Sequence, residues 1–227
     1  MRIAPRINFI DYIKCSFYCI VLIGFSVCIA GSYDDFFVAI KRDDAGTVQA
    51  LLRRGFDPNT RSPDNEHGLA LAIREPSLKV AAVLVAAPNI DPEGRNPQDE
   101  SLLMLAALKG LLGLCEQLIE KGADVNKPGW TPLHYAATHG HIAVMHLLLD
   151  NHAYIDAASP NGSTPLMMAA MYGTPAAVKL LLEAGADPLL KNDQGLNAID
   201  FANRAQRAES AELIAALVRS LRPPGKW

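Results

Sequence analysis

Cysteine is scarce in this chain: there are four in 227 residues, and three of them, Cys15, Cys19 and Cys28, fall in one apolar segment near the N-terminus. Without that segment only Cys115 remains, which excludes a disulfide framework. An excess of charge of one sign is also lacking. The 21 Lys and Arg residues are interspersed among 24 Asp and Glu, for a formal net charge of −3 and a pI near 6.1. No basic stripe is present to neutralise phosphates, so nucleic acid is not expected as a partner. The sequence contains no CxxC pair, HExxH, GxSxG, P-loop or GxGxxG. It therefore names no catalytic residue, no metal centre and no cofactor, and an enzyme is not expected. What is plentiful is apolar material. At 50% hydrophobic residues the chain can bury a core, and disorder over most of its length is excluded.

Residues 1–14 carry Arg2, Arg6 and Lys14 against the single Asp11, and Cys15 to Ala30 then runs sixteen residues without a charge. A basic region followed by an apolar core is the pattern of an export signal. The core is shorter than the ~20 residues a bilayer crossing needs, and it closes on small residues at Cys28 and Ala30. Residues 1–30 are accordingly read as a signal peptide cut after Ala30, the alternative being an uncleaved anchor formed by residues 15–30. Lipid attachment at Cys28 fits less well, because Val27 is larger than the residue that lipoprotein signals place there. Loss of the segment would leave a net charge near −5 and one thiol. The expected location is periplasmic or secreted, with no stable membrane embedding after cleavage.

Beyond that point the chain is periodic. Thr131-Pro132-Leu133-His134-Tyr135-Ala136-Ala137 aligns with Thr164-Pro165-Leu166-Met167-Met168-Ala169-Ala170 at a spacing of 33, and Gly140 with Gly173, and Gly162 with Gly195, at the same spacing. Thr131 is placed to cap a helix that Pro132 begins, at the one position where a missing amide hydrogen costs nothing. Leu133, Ala136 and Ala137 share one face, and the alanines let two helix layers approach closely. Gly140 and Gly173 are expected to stop their helices in left-handed turns. A second helix follows in each unit, presenting Val144, Leu147 and Leu148 in one of them. Each then ends in a turn, as in Gly122-Ala123-Asp124-Val125-Asn126 and Gly185-Ala186-Asp187-Pro188. These helices are too short to be stable alone, so each unit must lean on its neighbours.

These strings resemble ankyrin repeats, whose pattern is TPLH-x-AA-x-x-G, a second helix, then LL-x-x-GAD-x-N. A third copy lies at Ser101 to Gly110, only 30 residues before its successor, so three residues are missing between Asn126 and Gly129 and the finger there is short. Degenerate copies are read at Gly68 to Pro92, at Asp34 to Asn59, and at Gly195 to Leu217. The resemblance implies an all-α fold: a solenoid of about six stacked helix-turn-helix units with β-hairpin-like fingers. The domain covers 31–222, with units near 33–62, 63–95, 96–126, 127–159, 160–192 and 193–222, followed by a tail at 223–227.

Four histidines, His134, His139, His141 and His146, fall within thirteen residues. In the repeat pattern His134 bonds backbone and His141 follows the turn glycine, and the break at Gly140 spoils a tetrahedral metal site. Cys115 is read as a buried, inert thiol, and Asn161-Gly162-Ser163 as turn chemistry rather than a glycosylation site. The cluster Asp91, Glu93, Asp99 and Glu100 around Gly94 offers the one alternative, an enzyme or a metal- or ligand-binding protein with its site in the degenerate units. The resemblance favours a protein partner gripped along the concave side by a monomer. Carried over position by position, the expected contact residues are Trp130, Thr138 and His139, then Ser163, Met171 and Tyr172, then Leu108 and Lys109, with Arg74 and Glu75 continuing the row. Trp130 is expected either to stand exposed beside Met171 and Tyr172 or to fold over the shortened finger and pack.

Overall fold

The computed structural model describes residues 31–221. The proposed signal segment 1–30 and the tail lie outside the described residues. Among these residues twelve helices follow one another in pairs: α1 (31–41) and α2 (Ala45–Arg53), α3 (Gly68–Arg74) and α4 (Leu78–Ala86), α5 (Leu102–Leu108) and α6 (Leu112–Glu120), α7 (Pro132–His139) and α8 (Ile142–Asp150), α9 (Pro165–Met171) and α10 (Pro175–Glu183), α11 (Ala198–Arg204) and α12 (Ala208–Leu221). The first helices of successive pairs stack in one layer, α3 on α5, α5 on α7, α7 on α9 and α9 on α11, and the second helices stack in order behind them. Between the layers run Leu69, Ile73, Leu102, Leu103, Leu118, Leu133, Met145, Leu148, Leu166 and Leu181, all fully buried. The four alanines Ala136, Ala137, Ala169 and Ala170 are likewise buried where α7 meets α9. Small side chains at this contact are what let the layer be so tight.

Fingers connect the pairs. Antiparallel bridges Arg61 with His67 and Arg95 with Ser101 form in two of them, and four fingers close with the same backbone bond, Ser62 N–H to the Glu66 carbonyl, Asn96 to Glu100, Ser159 to Ser163 and Asn192 to Leu196. The finger at 127–130, three residues shorter, has no room for it. A side chain replaces the backbone there: Lys127, 8% exposed, places Nζ 2.6 Å from Asp99 Oδ2.

A ladder of polar side chains ties each unit to the next. Asn59 Oδ1 accepts from the Asp91 N–H at 2.7 Å, Glu93 Oε1 from Asp124 at 2.7 Å, Asn126 Oδ1 from Tyr154 at 2.7 Å, and Asp156 from Asp187 at 3.2 Å. Positions at about the repeat spacing thus do the same work with three residue types. Glu93 being in the ladder, Asp99 in ion pairs with Lys127 and Arg95, and Glu100 bonded to Asn96 and to the Tyr135 hydroxyl, that carboxylate cluster is taken up by the fold. No group of His, Cys, Asp or Glu able to hold a metal occurs among the described residues.

Two turns depart from the pattern. Gly140 is left-handed as expected, with φ 66°. Gly173 is not. Pro175 forces Thr174 into extended backbone (φ −113°, ψ 156°), which re-routes the turn, and Gly173 is needed for closeness instead: a Cβ there would lie 2.4 Å from the Ala137 carbonyl oxygen. In the second unit Pro76 occupies the position that Gly110 and Gly140 hold in the next two units, so a residue with no amide hydrogen stands in the turn there.

Candidate functional site

Among the described residues, the face formed by the first helices and the fingers, the one expected to be concave, carries an apolar cavity and a charged groove. The cavity, of about 210 Å3, is lined by Leu108, Trp130, His134, Tyr135, Thr138 and Met168, so that α5, α7 and α9 and the short finger all contribute. His134 organises it. Its Nδ1 accepts the Thr131 backbone N–H at 3.2 Å, which leaves Nε2 to donate to the Ser163 carbonyl of the next unit at 2.9 Å. Burial pushes its pKa down to about 4, so the ring stays neutral. Trp130 rests edge-on against this ring, centroids 5.3 Å apart at 77°. Tyr135 donates its hydroxyl to Glu100 Oε1 at 2.7 Å; burial, with that bond, raises its pKa. Thr138 turns its hydroxyl to the His134 carbonyl at 2.7 Å and leaves its methyl to the cavity.

The second depression is a groove of about 460 Å3 at the N-terminal end, between α1, the finger 62–66 and α3. Tyr33, Phe37, Val38 and Leu71 give it apolar walls; Asp34, Lys41, Asp64, Glu66, Arg74 and Glu75 supply its charge. Glu66, 6% exposed, is paired with Arg74 at 2.8 Å. Burial raises its pKa, and Arg74 opposes that rise.

The ten contact residues expected from the sequence are therefore sorted. Leu108, Trp130 and Thr138 meet in the apolar cavity, and Arg74 and Glu75 flank the groove. Tyr172 is 52% exposed, Lys109 and His139 are exposed and Met171 is half-buried, but none lines either depression. Trp130 is half-buried, its ring against His134 and near Met168. Ser163 is a correction. It is 1% exposed, because its N–H bonds Ser159 Oγ and its carbonyl receives His134, so its side chain offers no surface to a partner. Tyr135 and Met168 were missed. They sit at the x of TPLH-x-AA, 33 residues apart, and that freedom from the repeat pattern was the available signal. Tyr33, Phe37 and Asp64 carried no repeat signal at all.

Of the remaining candidates, Cys115 is buried and its thiol pKa is pushed up to about 12 by burial. The rings of His139 and His141 stack 5.8 Å apart, but His141 Nε2 is bonded to the Leu108 carbonyl. No helix of the described residues is long and apolar enough to cross a membrane.

Comparison with known proteins agrees with this geometry. Family models for ankyrin repeats match residues 36–128 and 94–159 (three copies) and 154–202 (many copies). Similar curated proteins include the mouse nuclear factor NF-kappa-B p105 subunit, 33% identical over 58% of this chain and 14% of that protein, and the Caenorhabditis elegans ankyrin repeat and KH domain-containing protein mask-1, 29% identical over 78% of this chain and 8% of that one. The chain thus spans only a small part of the curated relatives it matches. Among solved structures, a chain of the complex of a predatory endopeptidase from Bdellovibrio bacteriovorus with an immunity protein superposes with a TM-score of 0.69 at 27% identity, covering 80% of this chain and 97% of that one. An ankyrin repeat domain from Acinetobacter baumannii superposes with a TM-score of 0.69 at 24% identity, over 80% and 96% of the two chains. Six stacked helix pairs, side-chain bonds between units at about the repeat spacing and these matches together make the chain a member of the ankyrin repeat family.

Proposed function

We propose that this chain is a non-catalytic protein-binding module of the exported bacterial type, which acts as a monomer and grips its partner along the concave side as a scaffold, an inhibitor or a protective factor. The observation that carries the reading is the apolar cavity under Trp130. An open cavity walled by Trp, Tyr, Met and Leu is surface that a solitary protein gains nothing by exposing, and such residues dominate interface energetics. The similarity to a chain of an endopeptidase–immunity protein complex supports the inhibitory or protective form of the role. Export rests on the basic and apolar pattern of residues 1–30.

The test is capture of the partner from the envelope fraction with tagged protein, followed by purification of that partner and measurement of its affinity. Trp130→Ala is expected to weaken binding roughly thirtyfold, as for a central hot spot. Unchanged affinity with a lowered melting temperature would leave the ring a packing role only. Amino-terminal sequencing of the protein from fractionated cells tests export: a chain beginning near Gly31 supports it, and a full-length chain in the membrane pellet supports the anchor.

A further inference from the structure

We propose that the groove between α1 and the finger 62–66 seats an arginine side chain of the partner protein. This rests on the concave side being the partner-binding surface and adds what the partner must bring to it. Four carboxylates line the groove, Asp34, Asp64, Glu66 and Glu75, against Lys41 and Arg74, an excess of two negative charges. Arg74 is already committed, lying 2.8 Å from Glu66 and 3.7 Å from Glu75. Asp34 and Asp64 have no ion pair or hydrogen bond among the described residues, and they stand exposed on opposite sides of the groove, one on α1 and one on the finger. Between them the apolar wall is aromatic. Tyr33 and Phe37 have ring centroids 5.0 Å apart, and Tyr33 is pinned by its hydroxyl to the Arg61 carbonyl at 2.9 Å.

That combination selects among ligands. An acidic side chain would meet four carboxylates, and a purely apolar one would leave Asp34 and Asp64 facing it unpaired. A cation on an apolar stem satisfies both the carboxylates and the rings. Arginine fits better than lysine, because its guanidinium is flat, weakly hydrated, able to lie over an aromatic face and able to bond a carboxylate through two N–H groups.

The experiment uses the full chain labelled with nitrogen-15, titrated with acetyl-Ala-Leu-Arg-Leu-Ala-amide and with the same peptide carrying citrulline, which keeps the shape and loses the charge. The arginine peptide should shift the amide signals of Tyr33, Phe37 and Asp64, and the citrulline peptide should bind at least about tenfold more weakly. The double variant Asp34→Asn, Asp64→Asn should lose a similar factor toward the arginine peptide with its urea midpoint unchanged, since both side chains are exposed. Equal binding of the two peptides, shifts confined to the Trp130 cavity, or no saturable shift at about 10 mM peptide overturns the proposal. The captured partner separates this from the wider reading. If neither Trp130→Ala nor the double variant weakens it, the concave-side reading fails and the arginine anchor with it; if Trp130→Ala weakens it and the double variant does not, only the anchor is lost.

Discussion

Gly173→Ala should destabilise the protein by about 2–5 kcal/mol, through closeness rather than backbone conformation. The added Cβ would meet the Ala137 carbonyl oxygen at 2.4 Å and the Ala169 Cα and carbonyl oxygen at 2.9 Å. Ordinary carbon–oxygen contacts begin near 3.3 Å, so the end of α9 must retreat from α7 by roughly 0.9 Å. All three obstacles are backbone and cannot swing aside. The retreat opens the buried alanine contact between α7 and α9 and pulls the Gly173 carbonyl from Arg207 Nη1, now 2.7 Å away. Overpacking of this kind costs about 1–3 kcal/mol and a lost bond to a charged donor about 1.5–3, while the stiffer unfolded chain returns roughly 0.4–1. Gly185→Ala is the control, with φ 100° and no heavy atom within 4 Å of the new Cβ. It should cost only the left-handed backbone, about 1–2 kcal/mol less the same return. Urea unfolding of both variants, with slopes compared to confirm one transition, gives the two numbers. If Gly173→Ala proves cheaper than Gly185→Ala, the close approach of α9 to α7 is not a constraint and the reasoning fails.

Stability should fall as pH drops from about 6.5 to 4, because His67 and His134 both have folded pKa values near 4, lowered chiefly by burial. The unfolded chain then binds the extra protons, which removes up to about 3 kcal/mol per ring. Glu66 and Asp156, whose pKa values burial raises, take up protons in the folded state above their ordinary values and so offset part of that loss in the lower part of the same window, and below pH 4 the contribution of the two rings is spent. His134→Gln should flatten the pH profile, and a profile unchanged by that substitution would refute it. The Cys115 thiol should resist a thiol reagent at pH 8 until denaturant unfolds the chain, given its burial; rapid labelling of folded protein would show otherwise.

The fold was legible because its determinants recur. Thr131, Pro132, His134 and Gly140 each do a local job that names the residue type, and repetition at 33 residues turns a weak signal into a fold. The surfaces were less so, because they are made where the pattern is free to vary. Ser163 shows the limit: its position in the finger suggested exposure, but the His134 bond from the preceding unit and the Ser159 bond bury it. Gly173 shows another, since one downstream proline reassigns a glycine from turn conformation to backbone clearance. The groove depends on α1, where no repeat string survives, and on contacts between α1 and the finger that no local pattern encodes.

The structure largely separates what holds the array together from what it offers a partner. The ladder of Asn59, Glu93, Asn126 and Asp156 and the buried layer between helices carry the coupling between units, and in a repeat array that nearest-neighbour coupling is most of the stability. Leu108, Met168, Asp34 and Asp64 take no part in the ladder, so substitutions there should act on binding alone. Trp130 is the exception. Its ring lies on the His134 that bonds the next unit, so its removal bares that bond to water and loosens two units as well as the binding face. An affinity loss at Trp130→Ala therefore counts as a direct contact only if Leu108→Ala or Met168→Ala, which line the same cavity without touching the inter-unit bond, weaken the partner too.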